Sequence, residues 1–407
     1  MTNPISRAAI WTYGLAFLGV HLAFMPLLVL LLPRRIEAVT GDDPAVTLSF
    51  MLLVGGMVAG LSNIAAGALS DRWMAHFGNR RGLITIGAVL LFSAYVAFAF
   101  AQSEKGLLAA LVYFQIALNC CFAPLGVLLA DHFHDGVKGR LSGLSNAALP
   151  ASTLLVAPIA WVFPQDDPRA FLLVGTIAVL CMVPLLATWK MGEVVGKNGR
   201  RVVGEPDRRR VLVIDFSLAW TSRLLVQTGA AFAIGYIYLY IAQSGISGSV
   251  PGESGASEIL ALLTVPAAIL AVFATLVGGT LSDLKVVRRV PLLLSAMIFA
   301  AGMGLLAIAP YLGLFLIGYA LFQIGLSAFL SVDTALVAQL VGGNPRWGLL
   351  LGVMNLANTL PSIIAPSIAL FALARGETAS ALSALFAIFA AAALMSGLLV
   401  LFIRSVR

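Results

Sequence analysis

Apolar runs of about twenty residues, the length a helix needs to cross ~30 Å of hydrocarbon, recur in this chain from Trp11 almost to its C-terminus. Of the 407 residues, 60% are hydrophobic and 11% charged, whereas about a quarter of a soluble domain is charged. A water-soluble fold could not hide that much apolar surface, so the whole chain reads as membrane domain. Breaks at charged or Gly/Pro-rich segments place spans near residues 10–32, 47–69, 83–102, 107–130, 141–163, 170–189, 213–242, 257–281, 290–309, 311–337, 348–373 and 380–403. The first run has no small-residue cleavage signal and is expected to be a retained span.

The net charge of +7 falls in short loops rather than on one basic face, which argues against nucleic acid. One alternating set of breaks carries 19 Lys and Arg; the other carries only Arg34, Arg35, Lys105, Arg169 and Arg375. Basic loops stay in the cytoplasm, so both termini are expected inside the cell. Cys120, Cys121 and Cys181 all lie in apolar runs, with no spacing suited to a metal site or a disulfide framework. Asp131, His132, His134 and Asp135 form a compact loop cluster, but Lys138 and Arg140 beside them favour a solvated loop over a metal site.

The longest polar stretch, 191–211, divides the spans six and six, giving bundles at 1–190 and 212–407 joined by a cytoplasmic linker. An internal repeat supports this division. Gly67-Ala68-Leu69-Ser70-Asp71 recurs as Gly279-Thr280-Leu281-Ser282-Asp283, offset by 283 − 71 = 212. The basic pairs Arg80-Arg81 and Arg288-Arg289 are offset by 208, as are Phe114-Gln115-Ile116 and Phe322-Gln323-Ile324. One loop longer by four residues explains the change. Because six is even, the halves share one orientation. The expected fold is therefore an all-α polytopic membrane protein, with twelve transmembrane helices in two six-helix bundles related by a pseudo-twofold axis along the membrane normal.

Gly67-x-Leu69-Ser70-Asp71-Arg72, followed by Gly78-Asn79-Arg80-Arg81-Gly82, resembles the loop motif between spans two and three of the major facilitator superfamily. The length from Asp71 to Arg81 further resembles the glycoside-pentoside-hexuronide and sucrose-type cation symporters. Span five reads Gly143-Leu144-Ser145-Asn146-Ala147-Ala148-Leu149-Pro150 and departs from the Gly-Pro motif of the superfamily's antiporters, which favours import. Gly67 is expected to admit a close helix approach. Asp71, Arg72, Arg80 and Arg81, with their repeat partners Gly279, Asp283, Arg288 and Arg289, are expected to form gating contacts, topological charge being the plain alternative for the arginines.

The resemblance implies that spans one, four, seven and ten line the central cavity. In this sequence they supply His21, Gln115, Asn119, Arg223, Gln227 and Gln323 as substrate-binding candidates. Gln115 and Gln323 occupy equivalent positions in the repeat, and each either binds cargo or joins neighbouring helices. Arg223 either snorkels to the surface, pairs with Asp215 or another acid, or recognises an anion. His21 and Asp333 are the candidates for ion coupling. Tyr236, Tyr238 and Tyr240 suggest an interfacial belt or an aromatic cargo platform, and Asn355, Asn358, Pro361 and Pro366 a bend in span eleven.

No catalytic constellation and no phosphate-cradling motif occurs, so an enzyme is not expected and ATP is not the direct energy source. The expected activity is secondary transport of a small polar organic solute by alternating access, driven without cofactors by a proton or sodium gradient. The expected molecule is a monomer in the bilayer of the cytoplasmic (inner) membrane, working as a symporter. Efflux of amphipathic compounds, and pigment or lipid delivery by a transporter-like helper, are the alternatives.

Overall fold

The computed structural model describes residues 7–40, 43–132, 145, 147–188, 206–244, 255–285, 288–309, 311–341, 347–374 and 378–404. Eleven helices among them are long and apolar enough to cross a membrane, and a shorter apolar helix, Ala147–Val162, lies between the fourth and sixth. In chain order they are α1 (Ala8–Val39), α2 (Pro44–Phe77), α3 (Arg81–Phe100), α4 (Glu104–His132), α5 (Ala147–Val162) and α6 (Pro168–Thr188). Then come α7 (Pro206–Gln243), α8 (Ala256–Lys285), α9 (Arg289–Ile308), α10 (Leu312–Val341), α11 (Trp347–Thr359 continued by Pro361–Leu373) and α12 (Thr378–Leu401). This is a multi-pass membrane protein of twelve helices, and the chain divides into two compact units, Met1–Lys197 and Asn198–Arg407. Most of the expected linker, 191–205, lies outside the described residues, and α7 already begins at Pro206.

Two helices outrun their sequence-based ends for identifiable reasons. The arginines that suggested a stop after residue 32 are instead satisfied inside the first unit. Arg34, 5% exposed, donates to the carbonyl of Phe163 at 2.7 Å. Arg35 pairs with Asp166 and donates to the carbonyl of Ala101 at 3.2 and 2.7 Å, so α1 continues to Val39. The helix accommodates Pro26 by a single π turn, Leu27–Leu31. Likewise α2 passes through Asp71 and Arg72 because nothing before Gly78 breaks it. Gly78 takes φ 68°, a left-handed conformation that costs glycine little, and its N–H closes on the carbonyl of Met74 at 2.9 Å.

The helices of each unit pack on one another in a fixed pattern. In the first, α1 packs on α6, α2 on α4, and α3 on both α4 and α6. The second repeats every one of these pairings: α7 on α12, α8 on α10, and α9 on α10 and α12. The sequence repeat is therefore also a repeat of contacts. Lipid gives helices no hydrophobic drive to associate, so small residues and interhelical hydrogen bonds must hold them together. Where α9 crosses α10, a Cβ on Gly302 would lie 2.2 Å from the backbone nitrogen of Phe322, and one on Gly325 would lie 2.3 Å from that of Phe299. Between α7 and α12 the hydroxyls of Ser222 and Ser396 meet at 2.7 Å.

Candidate functional site

The polar side chains inside the first unit gather around α4. Asn119, one turn beyond Gln115, accepts from the amide of Asn63 on α2 at 2.8 Å. Its own amide donates to the hydroxyl of Ser62 at 3.0 Å and to the carbonyl of Gln115 at 2.8 Å. Asn119 is thus committed to joining α2 and α4. The side chain of Gln115, in a residue 5% exposed, forms no hydrogen bond to the described residues. His21 on α1 sits against the rings of Phe17 and Phe122, at centroid distances of 5.4 and 6.0 Å. Its Nδ1 lies 2.9 Å from the carbonyl of Phe17. A carbonyl only accepts, so Nδ1 carries a proton, and in the neutral ring Nε2 keeps its lone pair.

In the second unit α7 and α10 bring two candidates together. Nε of Arg223 lies 2.9 Å from Oδ2 of Asp333. The angle does not suit a hydrogen bond, so charge rather than direction holds the contact. Asp333 is 1% exposed and the side chain of Arg223 12%. Asp215 is not the partner of Arg223: its carboxylate accepts from the backbone N–H of Arg404, at 3.1 and 3.0 Å, and ties the end of α12 to α7. Gln227 donates to Asn358 at 3.1 Å, and Asn358 donates to Asn355 at 3.1 Å, linking α7 to α11 just before its break at Leu360. Gln323, the repeat partner of Gln115, donates to the hydroxyl of Tyr319 one turn back at 3.4 Å.

The expected gate residues form a clasp within the first unit. Arg80, 4% exposed, immediately precedes α3 and donates to the hydroxyl of Ser70 and, at 3.0 Å, to Oδ1 of Asp71. Arg72 and Arg81 are exposed. A Cβ on Gly67 would meet nothing within 4 Å, so the close approach expected there is not found among the described residues. It occurs at Gly82, whose Cβ would fall 2.7 Å from the ring of Trp73. Arg288, 8% exposed, holds the matching place before α9: its carbonyl accepts from Leu292 at 3.2 Å, as that of Arg80 accepts from Ile84 at 3.2 Å. Arg289 opens α9, and Gly279 and Asp283 fall in α8 with side chains outside the described residues. Of the Asp131–Asp135 cluster, expected in a loop, Asp131 and His132 instead end α4, with side chains outside the described residues, and 133–135 lie outside them altogether.

Tyr236, Tyr238 and Tyr240 form neither an interfacial belt nor a platform. They are 0%, 5% and 4% exposed, and Tyr240 donates to the carbonyl of Leu306 at 3.0 Å. The partners Asn63, Ser62 and Tyr319 were not among the sequence candidates. The Ser62-Asn63 pair inside an apolar run was the available signal.

A sequence profile of the Major Facilitator Superfamily matches residues 9–284, more than half of the chain. The chain belongs to the Major Facilitator Superfamily. It is accordingly a transporter of that superfamily and not an enzyme. Two crystal structures of a bacterial homologue of the human lysosomal transporter Spinster share its fold at 15% identity, covering 97% of this chain and 94% of that one. The inward-facing unoccupied structure gives a TM-score of 0.64 and the inward-facing occupied one 0.65. No curated protein sequence matches the chain.

Proposed function

We propose that this superfamily member carries a small polar organic solute into the cell by alternating access, as a monomeric symporter driven by a proton or sodium gradient and without a cofactor. The proposal places it in the cytoplasmic (inner) membrane with both termini inside. The observation that supports the reading most is Gln115: a nearly buried amide in span four, bonded to no described residue, whose repeat partner Gln323 has a weak 3.4 Å bond to its own helix. Amides in such positions can exchange hydrogen bonds with a polar cargo at little cost. Asn119, tied to α2, positions the wall beside Gln115 instead. His21, with Nε2 available, and Asp333 are the coupling groups of this reading.

The test is uptake into proteoliposomes of a solute the wild type accumulates, compared with a Gln115→Ala/Gln323→Ala variant. Loss of even one hydrogen bond of about 1.4 kcal/mol should cut apparent affinity about tenfold. Unchanged uptake would remove the amide site.

A further inference from the structure

Well inside the helices of the second unit lie one cation, Arg223 on α7, and two anions, Asp215 on α7 and Asp333 on α10. Asp333 is buried, and Arg223 is the charge that acts on it. The other charged groups of the packed helices lie near helix ends, and Tyr236, Tyr238, Tyr240 and Tyr319 are buried phenols inside α7 and α10. Asp215 is satisfied by the backbone of Arg404, Glu258 opens α8 with Asp283 and Lys285 near its close, and Arg288 and Arg289 begin α9. Neither α11 nor α12 carries a charged residue along its helical length. The first unit has no counterpart: the residue 208 positions before Asp333 is Leu125, whose carbonyl accepts from the hydroxyl of Tyr13 at 3.3 Å.

The pair is used unevenly. Arg223 meets Asp333 through Nε, and the guanidinium makes no hydrogen bond to a described residue, so its fork has donors left for another partner. A proton on Asp333 would remove the balancing charge, and arginine keeps its own proton, so the fork would then require another anion. A carboxylate matches that fork in shape and charge.

We propose that Arg223 binds the carboxylate of an organic monoanion, and that this anion crosses the membrane together with one proton taken up by Asp333. The inference rests on the proposed transport function and names its substrate class and coupling ion. The charges balance. Empty, Arg223 and ionised Asp333 sum to zero; loaded, Arg223, neutral Asp333 and the bound carboxylate also sum to zero. Neither crossing then moves net charge, and by linkage the proton and the anion strengthen each other's binding equally.

Acetate, the smallest stable probe of this chemistry, tests the pair without knowledge of the natural cargo. Thermal unfolding of the purified full-length protein would be followed against acetate, with acetamide as the neutral control, at constant ionic strength and at pH values where acetate stays ionised. In the wild type the half-maximal acetate concentration should fall as pH falls, by up to about tenfold per pH unit for one linked proton. Asp333→Asn should respond to acetate without pH dependence. Arg223→Gln/Asp333→Asn should not respond. If Asp333→Asn does not fold, the wild type and the double variant decide. A wild type that ignores acetate, or responds equally at all pH values, overturns the inference, as does a double variant that still responds. These outcomes leave the amide site untouched, since uptake by the Gln115→Ala/Gln323→Ala variant tests that separately.

Discussion

At the scale of single residues, what separates this chain from an inert bundle is where its polar groups find partners. Arg223 and Asp333 are each costly to bury, and removing one strands the other. Asp333→Ala should therefore lower stability by about 3–5 kcal/mol, while Arg223→Gln/Asp333→Asn recovers most of that loss; thermal unfolding of purified variants checks both. Asn119→Leu should cost less, about 0.6–1.7 kcal/mol, because it removes interhelical hydrogen bonds without stranding a charge. The polar candidates themselves were legible as interruptions in apolar runs, but their partners were not. A run apolar on every side has no face by which to predict that Asn63 meets Asn119, or that Arg223 meets an acid 110 residues away. The tyrosines show the converse: residues two apart point about 200° from one another on a helix, so Tyr236, Tyr238 and Tyr240 cannot share one surface.

At the scale of helices, the ends were the least legible part, because charge alone does not stop a helix whose charges are satisfied. Arg34 and Arg35 find carbonyls and Asp166, so α1 runs on. Gly78 stops α2 by its backbone conformation, and Asp71 ends up on the helix, 71% exposed on its side chain and bonded to the buried Arg80. An exposed carboxylate adds little stability, so Asp71→Asn should leave unfolding within about 1 kcal/mol of wild type. If the clasp tunes switching, the same variant should change transport rate with little change in cargo affinity; loss of affinity alone would count against that role. Of the residues expected to bend span eleven, Pro361 stands at the break, which follows Asn355 and Asn358 at Leu360, whereas Pro366 lies inside the helix that continues from it. The α9–α10 crossing leaves no room for a side chain at Gly302 or Gly325. Gly302→Val should abolish stable expression, because its Cβ would fall on the backbone nitrogen of Phe322 at 2.2 Å, where no rotamer relieves the clash. Size-exclusion chromatography of the solubilised variant checks this.

At the scale of the whole molecule, six-plus-six organisation was legible because a repeat leaves two independent marks, recurring motifs and offsets that change only where a loop changes length. Both marks reappear as recurring contacts, α2 on α4 matched by α8 on α10, and α3 on α6 matched by α9 on α12. The pairings of α1 on α6, α2 on α4 and their counterparts in the second unit close within a unit, so fragments 1–197 and 198–407, expressed separately, should each insert and resist proteolysis. Rapid degradation of either would contradict that independence. The central claim is that this chain moves a polar organic solute at the expense of an ion gradient. Its most direct test is accumulation of such solutes, carboxylates included, in proteoliposomes under an imposed pH or sodium gradient. The account predicts uphill uptake that collapses when an ionophore dissipates the gradient; uptake that only equilibrates, unchanged by either gradient, would contradict it.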